Sequence, residues 1–327
     1  MPGRFPLRNV SLLSGEGSIG KSIVLMQLAG AHVLGRGWLD TLPELGDAIY
    51  LNAEDEEAEI HRRFLDVARL YDCPLADFKD HLLILAMAGQ DAVLGHADRN
   101  GLVKPTSLFR QLVEAAGDIK PKLIGLDTSA DIFAGAENDR SQVRQFIGLL
   151  RHMAIIGNSA VIVCAHPSLT GISTGTGLSG STAWHNSVRA RAYLHPVTVE
   201  GTEPDKTLRQ LEFMKSNYSA IADTITLRWK EAVFVPEAKP GSLEAIAAEA
   251  KADEAFLTLL ERFTREGRNV SPNPSSPTYA VTVFAKERTG FNKLHLGEAM
   301  RRLFKAEKIR VESYGKQSRP YQRIVKC

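Results

Sequence analysis

The stretch that decides the fold is Gly15-Glu16-Gly17-Ser18-Ile19-Gly20-Lys21-Ser22, which fits the phosphate-binding pattern G-x-x-x-x-G-K-[ST]. Its glycines let the backbone curl so that N–H groups point inward at a polyphosphate. Residues 9–14 predict a strand before it, and residues 22–34 predict a helix whose positive dipole end faces the same charge. Lys21 would reach the β- and γ-phosphates, and the Ser22 hydroxyl would bind Mg²⁺. We therefore predict that these eight residues bind a nucleoside triphosphate, ATP, together with Mg²⁺.

Downstream of this loop, apolar runs alternate with helical patterns. The apolar runs predict strands buried on both faces, at residues 48–53, 81–85, 122–127 and 160–166. Helical spacing separates them, at residues 54–70, 107–117 and 142–153. This alternation indicates an α/β fold with a mostly parallel sheet. Shorter strands are expected later, at residues 192–196, 207–214 and 224–234, and residues 88–105 are expected to form an exposed irregular loop.

Three carboxylates follow predicted strands and are candidates for catalysis. Asp127 closes an apolar run, where a carboxylate can hold Mg²⁺ together with Ser22. Glu54 and Asp55 follow the strand predicted at residues 48–53, and either could activate the attacking water. We expect Glu54 to be the base and Asp55 to support it. The alternative is that these residues only form turns or satisfy N–H groups at a helix start.

His166 ends another apolar run and precedes a loop, residues 168–181, that is rich in glycine, serine and threonine. The carboxyl ends of neighbouring parallel strands meet at the edge that carries the phosphate loop. His166 is therefore expected to sense the γ-phosphate and to pass its state to the loop, which would grip a nucleic-acid strand. A packing role for the histidine and a simple linker role for the loop are the alternatives.

Bulk composition agrees with a folded protein of the cytoplasm. Of 327 residues, 44% are hydrophobic, and the formal net charge is +2. The sequence contains no run of 18 apolar residues that would predict a membrane span, and no signal peptide is evident. Three widely spaced cysteines indicate neither a disulfide framework nor a metal site. We expect a cytoplasmic protein without membrane association.

The final third of the chain predicts a second domain. A Pro/Gly boundary near residue 238 separates residues 1–238 from residues 239–327. The latter predict three helices and a two-stranded hairpin, the order of a winged helix-turn-helix, at residues 243–266, 279–287, 293–306, 309–312 and 321–325. Residues 299–327 carry nine basic and two acidic side chains, hence a charge of +7. Such asymmetry is typical of nucleic-acid-binding appendages, although a solvated charged face is the alternative.

Taken together, these motifs resemble the RecA-like ATPases, and more narrowly the hexameric replicative helicase group typified by the plasmid protein RepA. The resemblance covers about residues 7–235. It rests on the order and spacing of residues 12–22, Tyr50-Leu51-Asn52-Ala53-Glu54-Asp55, Leu126-Asp127-Thr128, Cys164-Ala165-His166-Pro167 and Met214-Lys215-Ser216-Asn217-Tyr218. It implies a RecA-like twisted, mostly parallel sheet flanked by helices, followed here by the small winged-helix-like domain.

The same resemblance implies roles for individual residues. It supports Glu54 as the catalytic base and His166 as the γ-phosphate contact. Members complete each site with a basic residue of a neighbouring subunit, which implies a ring, with a hexamer expected. Lys215 fits that position best, and Arg189 and Arg191 are the other candidates, since this chain has lysine where the family pattern has arginine.

Two functions follow from these expectations. The first is an ATP-driven ring motor on single-stranded DNA, a replicative helicase of phage or plasmid type. The second is a RecA-like ATP switch, such as a recombination mediator or DNA-binding regulator, which does not unwind and reads DNA through the helix at residues 293–306. ATP-dependent strand displacement distinguishes them.

Overall fold

The chain forms two compact units, Met1–Glu237 and Ala238–Cys327. The structure, a computed structural model, describes residues 4–167, 182–198, 202–216, 224–238, 241–287, 291, 293–315 and 321–327. The glycine-rich loop at residues 168–181 lies outside these ranges. Among the described residues, no helix has the length and apolar character needed to cross a membrane.

The first unit alternates strands with helices. Its strands are β1 Asn9–Gly15, β2 Ala48–Asn52, β3 Leu82–Ala86, β4 Gly95–Ala97, β5 Val103–Pro105, β6 Leu123–Asp127, β7 Phe133–Ala134, β8 Ala160–Ala165, β9 Ala190–Pro196, β10 Leu208–Ser216, β11 Thr224–Lys230 and β12 Val233–Pro236. Its helices are α1 Lys21–Leu34, α2 Glu57–Leu70, α3 Ser107–Ile119, α4 Ser129–Ile132, α5 Arg140–Gly157 and α6 Thr182–Ser187, with a 3₁₀ turn at Leu75–Phe78.

Nine of these strands form one sheet, in the order β12-β11-β10-β9-β1-β8-β6-β2-β3. The strands from β9 to β3 are parallel to their neighbours, whereas β10, β11 and β12 run antiparallel. Strands β5, β4 and β7 make a separate small sheet. The predicted α/β fold class, a mostly parallel sheet flanked by helices, is confirmed.

Both faces of the sheet are buried, which explains the near-continuous apolar runs. In β1, Leu13 packs in the core that contains α1 and α2, whereas Val10 and Leu12 pack in the core of α3 and α5. The two cores are separate because side chains alternate between the faces of a strand. The polar residues Asn52 and Asp127 are the last residues of β2 and β6, at the carboxyl edge of the sheet.

The structure corrects three expectations about local elements. Helix α2 begins at Glu57 and not at Glu54, so Glu54 lies in a turn. Residues 88–105 are not wholly irregular, because they contain β4 and β5 and bury Leu94 completely. The strand expected at residues 224–234 is a hairpin, since Glu231 and Ala232 adopt positive φ angles of 51° and 65° and turn the chain between β11 and β12.

The second unit contains the expected order of helix, helix, helix and hairpin. Its elements are α7 Leu243–Arg265, α8 Ala280–Phe284, α9 Lys293–Lys305, β13 Ile309–Tyr314 and β14 Tyr321–Lys326. Phe284 packs edge-on against Phe256 and Phe263, with ring centroids 4.9 and 5.2 Å apart, at the centre of its own core. The backbone N–H of Ile324 donates to the Val270 carbonyl at 2.9 Å, which joins the chain after α7 to the hairpin.

Candidate nucleotide site

Residues 15–22 form a loop between the end of β1 and the first turn of α1. The first amide bonded within the helix is that of Val24, which donates to the Gly20 carbonyl. The helix start has no side-chain cap and no acidic residue in its first turn. The N–H groups of the first turn of the helix, residues 21–23, therefore remain for an anion, which the helix dipole also attracts.

Two glycines of this loop have steric reasons to be glycine. Gly20 has a φ of 104°, and a Cβ there would collide with the Phe234 ring. At Gly15 a Cβ would lie 2.7 Å from the Leu194 carbonyl oxygen. The loop is consequently packed tightly against the strands on its β9 and β12 side.

Lys21 lies beneath the loop and is only 5% exposed. Its Nζ donates to the carbonyls of Gly15 at 3.0 Å and Glu16 at 2.9 Å, and it lies 3.4 Å from Nδ1 of His166. Burial lowers the pKa of the Lys21 ammonium, an effect that the nearby Cys164, Asp127 and Glu54 oppose. The ammonium is thus held on the loop's own carbonyls, within reach of a phosphate bound above it.

Asp127 is buried at the end of β6 and is held from the adjacent strand β2. Its Oδ2 accepts hydrogen bonds from the Tyr50 hydroxyl at 3.0 Å and from Nδ2 of Asn52 at 3.2 Å. All three side chains are completely buried, and the strand register places Asn52 directly beside Asp127. The other carboxylate oxygen, Oδ1, has no hydrogen-bond partner among the described residues.

Asn52 also shapes the turn that follows β2. Its Oδ1 accepts the backbone N–H groups of Glu54 at 3.0 Å and of Asp55 at 2.6 Å. Asp55 is turned towards α2, where its carboxylate pairs with Arg63 at 2.8 Å. One amide side chain therefore connects Asp127 to the backbone of Glu54, and Asp55 is engaged elsewhere.

Glu54 and His166 face each other at the rim of the site. Their carboxylate oxygen and Nε2 are 4.0 Å apart, and both side chains are about half exposed. Burial, followed by the charges of Asp127 and Asp131, raises the pKa of Glu54. Burial and the Lys21 charge lower the pKa of His166, which favours a neutral ring that can accept a hydrogen bond from Lys21.

The side chains of Lys21, Glu54 and His166 line one cavity of about 570 Å³. Its lining residues come from the phosphate loop, the ends of β2 and β8, helix α2 and the β11–β12 hairpin; they include Gly17, Ser18, Gly20, Lys21, Ser22, Glu54, Arg62, His166, Trp229 and Ala232. A cavity of this size can hold a drug-sized ligand such as a nucleotide.

Residues 1–171 match the model of the family described as AAA domain (AAA_25), which is more than half of the chain. The chain belongs to the AAA domain family. This membership agrees with the convergence of the phosphate loop, Asp127 and Glu54, and it supports an ATPase.

Comparison with other proteins adds little to this family assignment. No curated protein matches the chain in sequence. Among solved structures, the chain is similar to the crystal structure of the RadB recombinase, with 13% sequence identity and a TM-score of 0.48, over 72% of this chain and 93% of that one.

The donor set of this AAA domain fits Mg²⁺. Asp127 Oδ1 is a buried carboxylate oxygen without a hydrogen-bond partner among the described residues, and Ser22 lies at the start of α1 in the cavity lining. Mg²⁺ is commonly held by one or two carboxylates, water and substrate phosphates rather than by a cage of protein ligands. The described residues contain no group of three or more His, Cys, Asp or Glu side chains that could hold a metal by themselves.

The basic residues predicted to complete a neighbouring nucleotide site are Arg189, Arg191 and Lys215. They lie towards the amino ends of the parallel strands, whereas the phosphate loop follows the carboxyl end of β1. Arg189 is exposed and its N–H donates to the Val10 carbonyl at the start of β1. Ala190 pairs with Ser11, so Arg189 lies roughly 13 Å or more along the strands from Gly15. Arg189 therefore lies away from the phosphate loop of the same chain.

Lys215 pairs through its backbone with Arg191, so it lies at the same edge of the sheet. The side chain of Lys215 lies outside the part that the structure describes. Arg191 itself is buried, and its guanidinium lies 2.7 Å from the Met214 sulfur.

The sequence interpretation missed the roles of two groups of residues. Tyr50 and Asn52 were assigned only to a strand, although a lone amide at the end of an apolar run is a signal for a polar contact. Gln27 clamps β12 onto α1, since its amide donates to the Phe234 carbonyl at 2.8 Å and accepts from the Phe234 N–H at 2.9 Å. A single amide side chain within an apolar helix is a sequence signal for Gln27. Its partner Phe234, 207 residues away, shows no such signal in the sequence.

Proposed function

We propose that this protein is a RecA-like ATPase that hydrolyses ATP and acts as a ring-forming motor on single-stranded DNA, of the replicative helicase type. The observation that carries the proposal is that Lys21, Glu54 and His166 line one cavity beside the phosphate loop, while Asn52 bonds both Asp127 and the Glu54 backbone. The three lining groups, an ammonium, a carboxylate and an imidazole, come from α1 and from the ends of β2 and β8. Such convergence favours catalysis over simple binding of a phosphate.

In this mechanism the loop amides and Lys21 bind the β- and γ-phosphates, and Ser22 and Asp127 would hold Mg²⁺. When bound, Mg²⁺ neutralises developing charge on the phosphate oxygens. Glu54 accepts a proton from the attacking water, a role that its raised pKa favours because it strengthens the carboxylate as a base. Asn52 holds Asp127 and the Glu54 backbone in register, so it acts as a positioning residue.

His166 is proposed as the group that reports the state of the γ-phosphate. Its ring lies between the Lys21 ammonium and the Glu54 carboxylate, at 3.4 and 4.0 Å. A phosphate that draws Lys21 towards itself weakens the contact of Lys21 with His166. The histidine then changes its position two residues before the loop at residues 168–181, which we propose contacts the DNA strand.

A ring is supported by the placement of the remaining basic candidates. The backbones of Arg189 and Lys215 lie at the amino edge of the sheet, away from the phosphate loop of the same chain, which favours a role at the nucleotide of a neighbouring subunit. We propose that one of them completes the site in trans and that the ring is a hexamer. The three cysteines are free thiols, which agrees with a reducing compartment, the cytoplasm.

The DNA part of the proposal is supported by the second unit. We interpret its three helices and hairpin as a winged helix-turn-helix, with α9 as the helix that approaches DNA. Part of its positive charge is used internally, since Arg302 pairs with Asp253 at 2.7 Å and Arg323 with Glu312 at 2.5 Å. Exposed lysines remain on and beside α9, namely Lys293, Lys305 and Lys308.

The winged-helix interpretation also favours a second candidate, an ATP-dependent DNA-binding switch or recombination mediator without unwinding. In that case α9 reads duplex DNA and the ATPase controls access to it. The two candidates share the nucleotide site, so only an assay of work on DNA separates them.

The test is displacement of the shorter strand from a forked DNA, measured with full-length protein, Mg²⁺ and ATP. The motor predicts displacement that is lost in Lys21→Ala and retained in Lys206→Ala, an exposed lysine in a turn of the same unit. DNA-stimulated ATP hydrolysis without displacement would support the switch. Absence of ATP hydrolysis with and without DNA would overturn both candidates. Mass measurement with a slowly hydrolysed ATP analogue tests the ring.

A further inference from the structure

One wall of the nucleotide cavity has no part in binding phosphate. It is formed by the β11–β12 hairpin, from which Trp229 and Ala232 line the same cavity as Gly17 and Ser18 of the phosphate loop. Trp229 is 41% exposed, whereas the other two tryptophans of the chain, Trp38 and Trp184, are buried at 1%. A large, partly exposed aromatic side chain therefore lines the same cavity as the phosphate loop.

The hairpin holds Trp229 in a defined position. Its indole packs edge-on against the Phe234 ring, with centroids 4.9 Å apart and planes at 67°. The Phe234 ring in turn packs on Gly20, and both backbone polar groups of Phe234 bond to Gln27 of α1. The backbone N–H of Trp229 donates to the Thr207 carbonyl at 2.7 Å, which fixes the strand that carries the indole. The indole is thus tied to the phosphate loop through one ring and one amide side chain.

The same cavity also receives cations from α2. Arg62 and Arg63 contribute to its lining, and Arg62 is exposed while its guanidinium pairs with Glu59. An indole face and a guanidinium plane are the two protein surfaces on which a nucleobase stacks most readily. The cavity therefore combines donors for phosphate with a flat surface for a planar heteroaromatic ring.

We propose that Trp229 stacks on the nucleobase of the bound nucleotide and thereby makes the site selective for purine nucleoside triphosphates. This inference rests on the proposed nucleotide binding at Lys21 and names the group that recognises the base. A purine presents two fused rings to the indole and a pyrimidine presents one, so ATP and GTP bind more tightly than CTP and UTP. Inorganic tripolyphosphate, which has no base, binds through the loop alone.

The first experiment uses the fluorescence of Trp229 in the full-length protein. Because Trp38 and Trp184 are buried, acrylamide quenching reports chiefly on Trp229. A non-hydrolysed ATP analogue with Mg²⁺ should protect the indole from acrylamide, whereas tripolyphosphate with Mg²⁺ should not. Equal protection by both ligands would show a response to the phosphate loop and would overturn base stacking.

The second experiment measures affinities by calorimetry. Trp229→Ala should weaken the ATP analogue about tenfold, while its affinity for tripolyphosphate is unchanged. Trp229→Phe should stay within about threefold of the wild type, because an aromatic face remains. Leu42→Ala, which shortens another exposed apolar side chain of this unit, should change neither affinity.

Two calorimetric results also overturn the proposal. One is an unchanged affinity of Trp229→Ala for the ATP analogue. The other is an equal loss of affinity for both ligands, which would indicate a disturbed phosphate loop. Thermal unfolding of Trp229→Phe and Trp229→Ala identifies a general loss of structure. Failure of the proposed function looks different. In that case the wild-type protein binds neither ligand, and Lys21→Ala has no effect.

Discussion

The candidate nucleotide site has a buried half and a rim, and the two are held in different ways. In the buried half, Tyr50, Asn52 and Asp127 are completely buried and joined by hydrogen bonds across β2 and β6. At the rim, Glu54 and His166 are about half exposed, and the Glu54 carboxylate oxygen lies 4.0 Å from Nε2 of His166. The buried half depends on the register of β2 and β6, which places Asn52 beside Asp127. The rim depends on the position of the Lys21 ammonium, which lies 3.4 Å from His166.

This difference indicates that the buried half and the rim have different roles in the site. Hydrogen bonds in a buried network lack competing water, so we expect Asp127 to keep its position when a ligand binds. The rim residues are screened by solvent and their geometry can respond to a phosphate. Asn52 belongs to both halves, because its side chain bonds Asp127 and the amide of Glu54.

The largest effect is expected at the rim, for Glu54→Gln. Loss of the general base should lower kcat about 10³-fold, while the affinity for ATP stays close to that of the wild type. Phosphate release under steady-state conditions gives kcat, and calorimetry with a non-hydrolysed analogue gives affinity. The matched variant is Asp55→Asn, which should have a smaller effect because Asp55 is paired with Arg63. Wild-type turnover in Glu54→Gln would show that another group is the base.

A somewhat smaller effect is expected in the buried half, for Asn52→Ala. The substitution releases the Glu54 turn and removes a hydrogen bond from Asp127, and misplacement of reacting groups by about 1 Å can cost about 10²-fold in rate. Tyr50→Phe is the control, since it removes only hydrogen bonds of the hydroxyl. If both variants lose activity in proportion to their loss of thermal stability, Asn52 has a structural role only.

A pH profile compares the two halves without mutation. Burial and neighbouring acids raise the pKa of Glu54, so its carboxylate is protonated at a higher pH than an ordinary glutamate. As pH falls through this raised pKa the base is lost, and kcat should decrease about tenfold per pH unit. The acid limb should therefore lie above the ordinary glutamate range near pH 4.5. An acid limb that persists unchanged in Glu54→Gln would assign it to another group.

The smallest effect is expected for His166→Ala. It removes one neutral acceptor from Lys21, which is worth about 1 kcal/mol or about fivefold in kcat. His152→Ala, an exposed histidine on α5, is the control. The γ-phosphate role predicts that the loss is larger for DNA-stimulated than for basal hydrolysis. Equal losses in the two assays would assign His166 to the hydrolytic step alone.

The difference between the halves also explains what could be predicted from the sequence. Asp127 and Glu54 follow apolar runs, and the rule that parallel strands end at one edge is enough to bring them together. The start of α2 was placed three residues too early, because acids in a first helical turn resemble acids in a turn bonded by Asn52. The hairpin between β11 and β12 was missed, since Glu231 and Ala232 are not typical residues for positive φ angles.

The sequence by itself determined the phosphate loop, the buried strands and the acids at their ends, because each depends on residues close together in the chain. Only the tertiary structure decided that Asn52 holds Asp127, that Lys21 lies between the loop carbonyls and His166, and that Trp229 lines the cavity. These contacts join residues 75, 145 and about 200 positions apart. The register of the strands and the packing of β12 on α1 create them, and neither leaves a local pattern in the sequence.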